Sequence, residues 1–129
     1  MADWTFACET KESIPLPPEY TFPQAFNYLS SEHNSFYILT APSGDYLQCG
    51  GSKERCTIER RTHHTRGFDH EVLGKKGGSE AMTHVEMSDG GVRVQEREVF
   101  SHWEAIDLFK DFFAGREFPD DIVFRRVDL

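Results

Sequence analysis

A chain of 129 residues suits one domain that buries roughly two thirds of its unfolded surface, and its eleven Phe, four Tyr and two Trp supply a packed core. No apolar run approaches the roughly 20 residues of a membrane span, and a net charge of −8 argues against nucleic acid, whose phosphates must be met by Lys and Arg. Three cysteines without metal-type pairing, and an N-terminus (Met-Ala-Asp-Trp-Thr-Phe) lacking signal-peptide character, lead us to expect a reduced, cytoplasmic protein.

In chain order, Asp3–Cys8 reads as a first strand, because Trp4, Phe6 and Cys8 alternate with smaller or polar residues. Lys11–Glu19 reads as a linker kept extended by Pro15, Pro17 and Pro18. Thr21 and Gln24 form a capping box that opens a helix, with Phe22, Ala25, Phe26 and Leu29 as its apolar face and His33 and Asn34 as its end.

From Ser35 the period changes to two. The predicted strands are Phe36–Thr40, Tyr46–Cys49, Cys56–Arg61, Phe68–Leu73, Met82–Met87 and Val92–Val99, separated by Gly-rich turns that favour antiparallel pairing. Ser101 and Glu104 then form a second capping box. Trp103, Ile106, Phe109 and Phe113 recur at helical spacing, Gly115 suits a left-handed C-terminal cap, and Pro119 precedes a short closing strand. The expected fold is a single α+β domain over residues 1–129. It consists of an antiparallel meander of about six strands with an N-terminal and a C-terminal helix packed on one face.

No catalytic constellation emerges from these segments. His84-Val85-Glu86 matches half of the zinc deaminase signature, but the P-C-x-x-C half is missing. His63 and His64 would point to opposite faces of an extended segment, so they do not share one metal ion with His70 and Cys49 or Cys56. Gly74–Ser79 lies between strand-like runs and opens no phosphate-binding helix. The basic stretch 53–76 holds seven bases against four acids, with Phe68 as its only aromatic, and cross-strand salt pairing accounts for it. We therefore expect no enzyme activity, no cofactor and no metal.

The pattern Ala105, Phe112-Phe113, Pro119, Ile122 and Phe124 resembles the tail of a family of bacterial immunity proteins. That family protects cells from polymorphic toxins, including DNA cytidine deaminase toxins. Phe36–Gly50 is similar to its first hairpin. The two stretches cover about a third of the chain, Phe124 stands where the family often has Trp, and Arg60–Gly91 matches nothing in it. The resemblance implies a protein that binds and neutralises a cognate toxin, without nucleic acid or membrane as partner.

A basic toxin cleft that accepts nucleic acid could be occluded by an acidic inhibitor. Candidate partner-binding residues are Asp45, Tyr46, Glu59, Asp69, Glu71 and Asp89, on turns and exposed strand faces, with the acids bonding to toxin Lys or Arg. A monomer bound to one folded partner is the expected assembly. The alternative is an acidic secretion chaperone, for which a homodimer with an exposed apolar patch would speak.

Overall fold

Alternation of apolar side chains sets most of the architecture. The computed structural model describes residues 3–14, residue 16 and residues 22–128. Among these, β1 (Thr5–Cys8), β2 (Lys11–Ile14), β3 (Phe36–Thr40), β4 (Tyr46–Gly51), β5 (Cys56–His64), β6 (Gly67–Lys75) and β9 (Ile122–Val127) form one antiparallel sheet in the order β2-β1-β3-β4-β5-β6-β9. The remaining pair, β7 (Met82–Val85) and β8 (Val92–Gln95), is a separate hairpin.

The register gathers the apolar positions on one face. Leu39 lies between Phe6 and Leu47, Tyr37 between Cys8 and Cys49, and Cys49 opposite Ile58. Onto this face packs α2 (His102–Ala114), which buries Ala105, Ile106, Leu108 and Phe109. Its start is fixed as expected: the Glu104 N–H donates to Ser101 Oγ at 3.3 Å, and the Ser101 N–H to Glu104 Oε1 at 2.9 Å. Gly115 ends it at φ +73°, a backbone state that favours glycine. Phe26, Tyr37 and Phe109 form the aromatic centre, with Phe26 stacked on Tyr37 at 4.8 Å and edge-on to Phe109 at 4.9 Å. The Tyr37 hydroxyl donates to the Ala25 carbonyl and accepts from Asn34 Nδ2, and burial pushes its pKa up to about 12.

Four expectations are corrected. The meander keeps β3 to β6, but Met82–Met87 and Val92–Val99 do not extend it. They shorten to the β7–β8 hairpin followed by a 3-10 turn at Glu96–Glu98, and β9 takes the place beside β6. The hairpin instead buries Val85 and Val94 against Val72 on the second face of the sheet, a better burial than an added edge strand would give them.

Lys11–Ile14 is the edge strand β2 rather than linker. The N-terminal helix reduces to α1 (Phe22–Phe26), little more than one turn, so the two-helix arrangement gives way to one long helix. After Phe26 the bonds tighten to Tyr28 N–H on Ala25 and Leu29 N–H on Phe26, and Ser30 and Asn34 pair with each other. The capping box expected of Thr21 and Gln24 and the prolines at 15, 17 and 18 lie outside the described residues.

Trp103 leaves the predicted apolar stripe. It is 62% exposed in the first turn of α2 and packs on the His102 ring at 4.6 Å.

On the second face a buried carboxylate is paired with a partly exposed arginine. Glu98, 1% exposed, accepts two bonds from Arg125 (2.8 and 2.9 Å) and one from the Gln95 N–H at 2.8 Å. A hydrogen bond with Cys56, together with burial, pushes the Cys49 thiol pKa up, and all three cysteines are buried and unbridged.

Candidate protein-interaction surface

The β7–β8 hairpin covers only part of the second face. Met87 sits over Gly50, where an added Cβ would come within 2.7 Å of its Cε. Toward the other end two cross-strand rows stay open. One runs Thr5, Thr40, Tyr46, Arg61 and ends at the buried His70, and the next runs Ala7, Ile38, Gln48, Glu59 and ends at the buried Val72. Pairing with β4 ends at Arg61 and pairing with β9 ends at His70, so the β5–β6 hairpin projects beyond both neighbours and carries His63 opposite Phe68 at its tip.

One side chain organises this surface. The Arg61 guanidinium carbon lies 3.8 Å from the Phe68 ring centre and 5.3 Å from that of Tyr46. Its Nε donates to His70 Nδ1 at 3.2 Å, which leaves Nε2 of His70 to donate to Glu59 Oε1 at 2.6 Å. Burial raises the Tyr46 pKa, with Arg61 opposing the rise. The result is an Arg held against two aromatics on this face, the residue types that anchor protein interfaces.

Of the residues predicted from sequence, Tyr46 and Glu59 lie together on this open face. Asp45, in the turn before β4, accepts the His63 N–H at 2.7 Å and faces its ring nitrogen at 3.2 Å. Asp69 and Glu71 fall on the opposite, helix-bearing face. There Asp69 meets Arg126 (3.1 Å) and His64 (3.6 Å), while Glu71 meets Arg60 at 2.8 Å. Asp89 belongs to the β7–β8 turn, where it accepts the Gly91 N–H at 3.1 Å. The six residues therefore do not form one acidic surface, and on the sheet each acid already has a partner within the chain.

Arg61, Phe68 and His70 were missed as a group. The available signal was parity: odd-numbered residues of β5 and even-numbered residues of β4 and β6 share the open face once the register is known. Arg60, one residue away, mirrors the arrangement on the other face. It pairs with Glu71 and lies 4.1 Å from the Phe124 ring centre. Among the described residues no three His, Cys, Asp or Glu side chains converge to hold a metal ion, and no helix is long and apolar enough to cross a membrane. His84 bonds to the Gly90 carbonyl (2.9 Å) and lies 3.2 Å from Glu86.

Comparison with family models, with curated proteins and with solved structures finds no match for this chain.

Proposed function

We infer that this chain is a protein-binding domain that neutralises a cognate bacterial toxin, one acting on nucleic acid, by covering its active-site cleft. The observation that carries this reading is the Arg61 clamp: a guanidinium held between Phe68 and Tyr46 on an uncovered sheet face. A group fixed in this way loses little freedom on binding, and Arg and Tyr are over-represented among interface anchors. The net charge of −8 supports the choice of a basic partner, because it would speed the encounter even though the sheet acids are paired. The immunity role itself comes from the resemblance of Phe36–Gly50 and the α2–β9 segment to that family. A toxin that must be blocked inside the producing cell places the chain in the cytoplasm.

Co-expression with the proteins encoded beside it tests this reading. Rescue of growth from a toxic neighbour, with recovery of a stable complex, is the expected result. A secretion chaperone is the second reading, favoured by Tyr28 and Trp103, which are 73% and 62% exposed. Recovery of a harmless exported protein in an unfolded state would select it instead.

A further inference from the structure

Arg60 and Arg61 are chain neighbours on opposite faces of the sheet, and their surroundings match except in one respect. Each guanidinium lies against a phenylalanine ring, Arg60 at 4.1 Å from the Phe124 centre and Arg61 at 3.8 Å from the Phe68 centre. Opposite Arg60 in the β5–β6 ladder stands Glu71, whose Oε1 accepts from Nε at 3.2 Å and from a terminal nitrogen at 2.8 Å. Opposite Arg61 stands His70. An arginine only donates, so the Nε bond uses a lone pair on His70 Nδ1. An imidazole brings no negative charge, and His70 therefore takes one N–H of Arg61 without balancing its charge.

The other N–H groups of Arg61, on its two terminal nitrogens, make no hydrogen bond or ion pair among the described residues. The acids around it are engaged elsewhere. Glu59 receives the His70 Nε2 bond at 2.6 Å, and Asp45 receives the His63 N–H at 2.7 Å. Asp69 and Glu71 lie on the other face with Arg126 and Arg60. Tyr46, opposite Arg61 on β4, adds a hydroxyl that also makes no hydrogen bond there.

We propose that the terminal nitrogens of Arg61 receive a carboxylate from an Asp or Glu side chain of the partner protein, as Arg60 receives Glu71 within the chain. Covering the open face takes water from a charge that nothing in the chain balances, and a buried charge left unpaired is strongly unfavourable. The guanidinium fork fits a carboxylate through two parallel bonds. Phosphate offers similar acceptors, but a net charge of −8 repels the polyanion that would carry it. That the partner is a toxin rests on the function proposed above, whereas the fork does not. Opposite net charges would steer the encounter, and this one pair of reversed sign would fix its register.

Nuclear magnetic resonance of the whole chain, labelled with nitrogen-15 at arginine, tests the site without a partner. Sodium acetate is the probe, with sodium chloride holding the ionic strength constant. Arg66, exposed in the β5–β6 turn without an ion pair, is the reference. Arg61 should respond at an acetate concentration at least about tenfold lower than Arg66, because its fork is held in place. Phe68→Ala should bring the two responses together. An Arg61 response no stronger than that of Arg66, or one that Phe68→Ala leaves intact, overturns the proposal. Association of a short thymidine oligonucleotide at Arg61 overturns it as well.

With the toxin recovered by co-expression, Arg61→Lys keeps the charge, loses the fork and should weaken binding at least about tenfold. Arg61→Glu should abolish capture, and changing one acidic residue of the toxin to Arg should restore it. A toxin on which no such reversal restores capture contradicts the proposal. If no toxin is recovered while the acetate response holds, the immunity reading falls and the carboxylate site stands.

Discussion

Arg61 Nε donates to Nδ1 of His70 at 3.2 Å, across a directly opposed pair of β5 and β6. The bond fixes His70 in the tautomer that donates from Nε2 to Glu59, and it holds the guanidinium against Phe68. One cross-strand pair thus orders four side chains on the open face. Their preorganisation is what the proposed binding role uses.

Removal of the clamp should therefore act on binding more than on folding. Arg61→Ala and Phe68→Ala are each expected to weaken capture of the partner by about 2 kcal/mol, roughly thirtyfold in Kd, as truncation of an interface anchor does. Titration calorimetry with the recovered partner measures the loss. Thermal unfolding should move little for Phe68→Ala, since Phe68 is exposed, and more for Arg61→Ala, which leaves Nδ1 of the buried His70 without its donor.

Two adjacent arginines should differ sharply in their effect on stability. Arg125 neutralises Glu98, which is 1% exposed, whereas Arg126 meets Asp69 at the surface. Arg125→Ala leaves a buried carboxylate without its partner and should cost about 3–5 kcal/mol. Arg126→Ala removes a surface pair and should cost at most about 1 kcal/mol. Urea denaturation of both variants decides this.

The two ends of the predicted helix stripe should also separate. Phe109 lies at the aromatic centre, and Phe109→Ala should cost about 3–5 kcal/mol through lost burial and a residual cavity. Trp103→Ala, at an exposed site, should change stability by no more than about 0.5 kcal/mol. Equal losses at the two sites would contradict the placement of α2.

Acid should loosen the fold through two carboxyls. Bonds from Ser88 and Ser35 hold Glu9 below the usual carboxylate range. At Glu104 burial pushes upward, but the Ser101 backbone N–H and Lys75 outweigh it and the pKa is lowered. A folded-state pKa below the unfolded one means that the unfolded chain binds more protons through this window, so stability rises with pH there. The contribution is complete above the ordinary carboxylate pKa of about 4.3 and is lost as pH falls through the depressed folded values. Melting temperature measured from about pH 3 to pH 6 should fall toward acid, and Glu9→Gln/Glu104→Gln should flatten that slope.

What could be read from the sequence was local. The start and end of α2 were legible because Ser101, Glu104 and Gly115 act within one turn of their own positions. The strands β3 to β6 were legible because alternation and Gly turns mark them, although β5 and β6 run past their predicted ends to His64 and Lys75. The neighbour of β6 was not legible. Met82–Val85 and Ile122–Val127 both suit a strand, and the outcome depends on Val85 and Val94 finding Val72 on the second face. The helix at Phe22 was overextended for a similar reason. Leu29 is buried as its spacing demands, but the chain reaches that position through a turn closed by Ser30 and Asn34.

For the surface, Tyr46 is legible as a residue beside the first turn and Glu59 as one near the His-rich segment, but that they share a face follows only from the β4–β5 register. The partners of Asp69 and Glu71 were hidden because Arg126 and Arg60 become neighbours only through the β6–β9 and β5–β6 registers. Cross-strand pairing within 53–76, expected from the sequence, thus takes up Glu59 and Glu71, two of the acids offered as partner-binding residues.

The most direct test of the central claim is a competition on the open face. The double variant Arg61→Ala/Phe68→Ala and the unaltered chain are each co-expressed with the toxic neighbour that the unaltered chain neutralises, and growth is compared at matched protein levels. The account predicts rescue by the unaltered chain and loss of rescue by the variant, with the far-ultraviolet circular dichroism of both unchanged. A folded variant that rescues growth as fully as the unaltered chain would contradict it.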